Sequence, residues 1–244
     1  MSDKKTPAKA GENGRAVKDR SDAGDVAAFL RQARALAARG GSGSGRLILA
    51  LDATMSRQPT WDMACRLQAQ MFDAVGKAGA LNVQLVYFRG LGECRASRFV
   101  TDTNALKDLM IGICCRGGHT QIGKVLSHAL KETAREKVSA LVYIGDAMEE
   151  NVDDLAAKAG QLGLHGVPVF LFQEGSDPVA EAAFREIARL SKGAWFRFDQ
   201  SSAATLGRLL SSVAIYATGG LKALEARGRK EDLLMLENLR GKGR

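Results

Sequence analysis

Short apolar segments alternate with longer amphipathic ones, and this alternation constrains the fold more than any other feature. The apolar segments are rich in β-branched or aromatic residues, as strands are. They span residues 47–51, 83–88, 140–144, 167–172 and 194–198. Helix-length segments lie near 61–78, 103–113, 121–137, 152–164, 178–191 and 202–217. This order is typical of a mainly parallel sheet with helices on both faces. We predict a doubly wound, Rossmann-like α/β domain.

Residues 93–100 follow a glycine-containing turn and fit a short edge strand that pairs antiparallel with residues 83–88. The domain is predicted to span residues 46–219. Residues 1–45 are expected to form a flexible basic arm with one short amphipathic helix and a Gly/Ser linker. Residues 220–244 are predicted to form a basic tail and a C-terminal helix that is broken or kinked at Gly228. The apolar edge of this helix is expected to pack on the sheet, with self-association as the alternative.

The net charge of +8 is unevenly distributed over the 244 residues. Residues 1–45 carry nine basic and five acidic side chains, and residues 220–244 carry seven and four. Residues 46–219 carry 19 basic and 18 acidic side chains and are almost neutral. The middle therefore has no excess charge for a basic cleft, and it has no RNA-binding signature. We do not expect nucleic acid to be the partner.

Three observations predict a cytoplasmic protein that does not enter a membrane. No apolar run reaches the roughly 18–20 residues that a membrane helix needs, and the N-terminus lacks the apolar stretch of a secretory signal. The four cysteines, Cys65, Cys94, Cys114 and Cys115, are too few for a disulfide framework in a chain of this length.

Oxygen-bearing side chains follow two of the predicted strands and occupy one glycine-rich loop. Asp52, Thr54 and Ser56 follow the first strand, Thr120 lies in the loop, and Asp146 follows residues 140–144. In such folds, ligands bind beyond the carboxyl ends of the strands. Oxygen ligands without thiol or imidazole suit Mg²⁺ better than zinc. The sequence therefore predicts a magnesium site at this edge of the sheet.

The same residues resemble the metal-ion-dependent adhesion site (MIDAS) of von Willebrand factor type A (vWA) domains. That motif is D-x-S-x-S after the first strand, a threonine in a G-G-x-T loop, and an aspartate after a later strand. Here, Asp52 and Thr120 are 68 residues apart, and Thr120 and Asp146 are 26 apart. The resemblance covers about residues 46–219 and implies a small, stand-alone bacterial-type vWA protein with an intact site.

The resemblance also implies a role for each residue. Thr54 and Ser56 would bind the metal directly, and Thr120 would bind it directly when a ligand is present and through water otherwise. Asp52 and Asp146 would act mainly through bound water, with Mg²⁺, Mn²⁺ or another divalent cation in the site. A partner's acidic residue would take the open position. The loop that supports the site contains Gly117 and Gly118.

This sequence departs from the motif in two places, and several of its features have a structural explanation. Thr54 replaces the usual serine, and Ala147 replaces the glycine that commonly follows the last aspartate. Asp52 and Thr54 could instead cap a helix. An acidic run is expected to be a solvated helix start, with tuning of the metal site as the alternative. It comprises Glu149, Glu150, Asp153 and Asp154.

The leading functional hypothesis is a non-catalytic protein-interaction module that captures a partner carboxylate through Mg²⁺. The first alternative, implied by the resemblance, is a vWA subunit of a chelatase-type AAA+ ATPase complex, whose partner would be the ATPase. The second is a Mg²⁺-dependent phosphohydrolase of the haloacid dehalogenase kind. That class needs D-x-D after the first strand, and Asp52-Ala53-Thr54 lacks the second acid.

Overall fold

The computed structural model describes residues 45–57, 61, 80–199 and 203–240. Its sheet has six strands in the order β3-β2-β1-β4-β5-β6. Five strands are parallel, and β3 runs antiparallel to β2 at the edge. The strands are β1 (Gly45–Asp52), β2 (Leu81–Arg89), β3 (Glu93–Val100), β4 (Ala140–Gly145), β5 (Val169–Glu174) and β6 (Ala194–Phe198). The predicted doubly wound fold and its antiparallel edge strand are confirmed.

The helices of the described region pack on both faces of this sheet. They are α1 (Thr103–Ile111), α2 (Ile122–Arg135), α3 (Val152–Leu164), α4 (Pro178–Ser191), α5 (Ala203–Arg227) and α6 (Lys230–Leu239). Side chains of α1, α5 and α6 share one apolar cluster with the sheet, and those of α2, α3 and α4 share the other. The predictions for residues 1–44 and for a helix over 61–78 fall outside the described residues, apart from helical, buried Trp61.

Strand β1 shows how the sheet is covered on both sides. All eight of its residues are buried, as expected for a central strand. Leu47, Leu49 and Leu51 face the cluster with α1, α5 and α6, whereas Ile48 and Ala50 face the other. Successive side chains of a strand point to opposite faces, so a continuous apolar run is buried only between two helical layers.

Strand β5 begins two residues later than the predicted segment 167–172. Pro168 has no N–H to donate to a neighbouring strand, although its carbonyl accepts a hydrogen bond from Leu141 N at 3.0 Å. The regular pairing with β4 starts at Val169 instead, opposite Leu141.

The C-terminal helices pack on the sheet domain. Gly220 interrupts α5 with a φ of 65°, and Gly228, with a φ of 60°, separates α5 from α6 at the predicted break. Leu224, Met235 and Leu236 are buried in the core cluster. Within the described residues, no helix is both long and apolar enough to cross a membrane.

Candidate metal centre

The carboxyl end of β1 brings three of the predicted residues together. Asp52 ends the strand with only 1% of its surface exposed, and its Oδ1 accepts a hydrogen bond from Thr54 N at 2.7 Å. This bond turns the chain directly after the strand. The following 3₁₀ turn, Met55–Arg57, places Ser56 Oγ 3.1 Å from Thr54 Oγ1. Thr54 is buried and Ser56 is exposed, so the pair of hydroxyls extends from the interior to the solvent.

The loop that contains Thr120 is held against the ends of β1 and β2. Arg116 N donates to Ala53 O at 3.0 Å, which ties the loop to the residue after Asp52. His119 N donates to Gly90 O at 3.3 Å in the β2–β3 turn. A Cβ on Gly118 would lie 2.1 Å from Gly90 O, so this position cannot carry a side chain without moving the backbone. Gly117 has open space around it and meets no such restriction.

The loop after β4 is tied to Thr120 by two reciprocal hydrogen bonds. Thr120 N donates to Glu149 Oε2 at 3.1 Å, and Glu149 N donates to Thr120 Oγ1 at 3.0 Å. His119 Nδ1 lies 3.0 Å from the same Glu149 oxygen. The hydroxyl of Thr120 is therefore fixed relative to the segment that carries Asp146.

The strand register places the two aspartates side by side. Leu51 of β1 pairs with Ile144 of β4, so Asp52 continues the register beside Gly145, and Asp146 follows directly. Neighbouring strands are about 4.8 Å apart. Asp146 Oδ1 is buried and has no hydrogen-bond partner in the described part of the chain. A buried carboxylate oxygen without a partner is costly unless something else satisfies it.

Sequence reasoning missed the role of Glu150. Its two oxygens accept hydrogen bonds from Ile122 N and from Gly123 N, the latter at 2.9 Å, at the start of α2. Burial raises the pKa of the Glu150 carboxyl, although both backbone bonds act in the opposite direction. Glu149 and Glu150 are therefore not simply a solvated helix start. No local sequence signal shows this role, because the position of Gln121 at the N-cap of α2 and its lack of a side-chain cap bond are known only from the structure.

The remainder of the acidic run behaves as predicted. Asp153 and Asp154 lie exposed in the first turn of α3, where negative charge suits the helix dipole. Asn151 caps this helix by accepting hydrogen bonds from the backbone N–H groups of both residues.

The donor set fits a hard divalent cation. The described residues contain no group of three or more His, Cys, Asp or Glu side chains placed to hold a metal. The candidate site instead combines two carboxylates with three hydroxyls. Two ligands that bind an octahedral Mg²⁺ at right angles are about 2.9 Å apart, close to the 3.1 Å between Thr54 Oγ1 and Ser56 Oγ. The buried Oδ1 of Asp146 supplies a further oxygen acceptor at this edge.

Comparisons with solved structures agree with this fold. A von Willebrand factor type A protein from Catenulispora acidiphila superposes with a TM-score of 0.58 at 18% identity, covering 72% of this chain and 43% of that one. Proximal thread matrix protein 1 from the mussel byssus, with a zinc-occupied MIDAS motif, gives 0.55 at 18% identity, covering 71% and 45%. The VWA domain of SpRpn10 gives 0.53 at 12% identity, covering 72% and 97%.

These similarities show the vWA fold, and this chain spans less than half the length of the first two structures. No family model and no curated protein matches the sequence.

Proposed function

We propose that this domain is a non-catalytic protein-interaction module that uses a divalent cation, Mg²⁺ in the first instance, to bind a carboxylate of a partner protein. The observation that carries the proposal is the presence of oxygen-bearing side chains after β1, after β4 and in the loop before α2, at the same edge of the sheet. Thr54 and Ser56 present adjacent hydroxyls, Asp146 presents a buried acceptor oxygen, and Glu149 fixes the Thr120 hydroxyl relative to them. The vWA fold supports the same proposal.

Each residue has a distinct task in this proposal. The hydroxyls of Thr54 and Ser56 bind the cation, and the Asp52 carboxylate orients them through its bond to Thr54 N. Thr120 and Asp146 complete the protein's contribution from the neighbouring loops. Mg²⁺, when bound, supplies a Lewis acid that attracts an external carboxylate. Hydroxyl ligands carry no charge, so they neutralise less of the charge of the cation than carboxylate ligands would. The cation therefore attracts an external carboxylate more strongly.

The absence of a catalytic role is part of the proposal. A phosphohydrolase of the kind considered above needs a second acid two residues after Asp52, and Thr54 stands there with its hydroxyl 3.1 Å from Ser56. A phosphatase assay with Mg²⁺ is expected to give no turnover. Hydrolysis that disappears in Asp52→Ala would contradict a pure binding function.

The test is affinity capture from a lysate, with the wild-type chain and the Asp52→Ala variant, each in Mg²⁺ and in EDTA. Proteins that are captured by the wild type with Mg²⁺ and lost in both controls are partners of the site. Asp108→Ala removes an exposed carboxylate from α1 and is the matched control. Capture that survives both EDTA and Asp52→Ala would refute a metal-mediated contact.

A direct measurement separates metal binding from partner binding. Titration with Mn²⁺, followed by electron paramagnetic resonance, should show one site in the wild type and in Asp108→Ala. Asp52→Ala and Thr120→Ala should lose it, with unchanged circular dichroism. Mn²⁺ binding of wild-type strength in Thr120→Ala would mean that the cation lies elsewhere.

A further inference from the structure

A second candidate ligand site lies in a cavity of about 500 Å³ at the β3 edge of the sheet. Residues of β2, β3, α2 and α3 line it, together with Glu150 from the loop before α3. The five candidate metal ligands are all described, and none of them lines this cavity. The cavity is therefore a separate feature, although Glu150 links its wall to the start of α2.

The walls of the cavity are strongly cationic. Arg95 contributes from β3, Lys124 and Lys131 from α2, and Lys158 from α3. Arg95 is already paired with Glu93 at 3.0 Å. The three lysines thus line the same cavity from two helices. They are the cationic side chains in its wall that have no ion-pair partner among the described residues.

No described carboxylate forms an ion pair with any of these lysines. Lys124 Nζ donates to two neutral oxygens, Gly92 O at 2.9 Å and Gln121 Oε1 at 2.8 Å. Lys158 Nζ donates only to a backbone carbonyl, that of Asp154, at 3.4 Å. Several arginines of the domain are paired directly, as Arg185 is with Glu181 at 2.9 Å, and the ion pairs seen among the described residues involve arginine or histidine and no lysine. The cavity therefore concentrates positive charge that no direct ion pair among the described residues balances.

Glu150 is the one carboxylate among the described lining residues, and the nearby charge of Lys158 acts to lower the pKa of Glu150, so Glu150 offsets part of the positive charge. Both oxygens of Glu150 are directed at the backbone N–H groups of Ile122 and Gly123. Burial raises the pKa of the Cys94 thiol, which keeps it uncharged near neutral pH. Burial lowers the pKa of His128, so its imidazole, which lies 2.9 Å from Gln84 Oε1, is neutral there as well.

We propose that this cavity binds a small phosphorylated molecule, with its phosphate held by Lys124, Lys131 and Lys158 and its remainder resting on the exposed side chain of Ala96. Lysine ammonium groups bind phosphate as compact point charges. The volume falls within the roughly 300–1,000 Å³ of small-molecule pockets and exceeds what an inorganic phosphate would fill. Ala96, which is exposed, provides apolar surface for the part of the ligand beyond its anion.

The test uses the full chain in EDTA, titrated with phenyl phosphate, inorganic phosphate and citrate and followed by NMR. Phenyl phosphate should bind more tightly than inorganic phosphate, because its ring covers apolar surface. The triple variant Lys124→Met, Lys131→Met, Lys158→Met should bind phenyl phosphate at least about tenfold more weakly. The matched triple variant Lys107→Met, Lys137→Met, Lys222→Met loses equal charge from exposed positions and should bind like the wild type.

Further variants keep the proposal falsifiable and separate it from the proposed metal site. Lys131 is exposed, so Lys131→Met alone should leave the protein folded. This variant should bind phenyl phosphate a few-fold more weakly than the wild type. Asp52→Ala should leave phenyl phosphate binding unchanged. Equal binding by the two triple variants, or no binding of phenyl phosphate at about 10 mM, would overturn the proposal. Citrate binding in the absence of phenyl phosphate binding would overturn the assignment to phosphate.

Discussion

Asp232 and Asp146 are carboxylates in two regions of one domain, and their surroundings differ in a way that separates stability from binding. Asp232, in α6, is fully buried and accepts hydrogen bonds from Ser212 Oγ at 2.7 Å, Arg227 Nε at 2.8 Å and Arg229 N at 3.0 Å. Asp146, after β4, has a buried Oδ1 that no described residue satisfies.

The difference indicates what each carboxylate is for. The charge of Asp232 is matched by Arg227 across the break at Gly228, so this carboxylate joins α5 to α6 and to the sheet domain. Nothing comparable among the described residues balances the inner oxygen of Asp146. Arg227 Nη1 is also buried without a hydrogen-bond partner, but the charge of Arg227 is balanced by Asp232. An acceptor oxygen such as Asp146 Oδ1 is available to a ligand from outside the protein, since native proteins satisfy most buried polar atoms. The two residues can therefore be told apart by experiment.

The largest expected effect is that of Asp232→Ala on stability. Removing one member of a buried ion pair leaves the guanidinium of Arg227 without compensation, and typically costs about 3–5 kcal/mol. The free energy of unfolding from urea titration should fall by this amount. Glu237→Ala, an exposed carboxylate on the same helix, should change it by no more than about 0.5 kcal/mol. A loss below about 1 kcal/mol in Asp232→Ala would mean that the network contributes little.

Asp146→Ala should show the opposite behaviour. Its free energy of unfolding in EDTA should be close to that of the wild type, but Mg²⁺ should no longer increase it. A ligand at 100 times its dissociation constant stabilises a protein by about 2.7 kcal/mol. Mg²⁺ at that concentration should therefore raise the unfolding free energy of the wild type and of Asp108→Ala by this amount, and leave Asp146→Ala unchanged. Equal stabilisation of all three proteins would remove Asp146 from the site.

Glu150→Ala is expected to have a smaller effect, confined to the start of α2. The variant leaves the N–H groups of Ile122 and Gly123 without their acceptor, and loss of a helix cap typically costs about 0.5–2 kcal/mol. Amide hydrogen exchange at these two positions should accelerate with the loss of stability. Asp154→Ala, in the first turn of α3, is the control because its side chain has no described hydrogen bond to the helix backbone. Unchanged exchange in Glu150→Ala would show that water replaces the cap.

The sheet could be predicted from sequence because its signals are local. Each parallel strand is a short apolar run bounded by breakers, and the break at Gly228 follows from one residue type. The start of β5 could not be placed, because Pro168 is apolar and fits the strand pattern. Its missing N–H matters only once the neighbouring strand is known.

The candidate site divides in the same way. Asp52, Thr54 and Ser56 are close in sequence, so their convergence could be predicted from the strand end. Glu149 and Glu150 bind atoms 27 to 29 positions away, and no local pattern records such a distance. The helix dipole is a sufficient local explanation for an acidic pair before a helix. Sequence patterns therefore did not indicate the long-range hydrogen bonds that Glu149 and Glu150 make.

The pH dependence of Asp232 gives the smallest expected effect, because protonation leaves the side chain in place. Burial alone raises the pKa of Asp232, but hydrogen bonds from Arg227 and Ser212 outweigh it, so the pKa lies below its ordinary value of 3.8. The unfolded chain then binds this proton more readily than the folded one. The stabilisation by ionised Asp232 is therefore complete well above pH 3.8, declines as the pH approaches 3.8, and is lost as the pH falls through the folded-state value.

Many carboxylates titrate in the same range, so the informative quantity is the difference in unfolding free energy between the wild type and Asp232→Asn, measured by urea titration from about pH 6 to pH 3. Asparagine keeps the shape of the side chain but has no charge. The difference should be constant above about pH 4.5 and shrink below it, whereas the difference for Glu237→Gln should stay close to zero. A difference for Asp232→Asn that does not vary with pH would show that Asp232 acts through packing and neutral hydrogen bonds. The contrast with Asp146 would then be one of satisfied against unsatisfied atoms, without a contribution from charge.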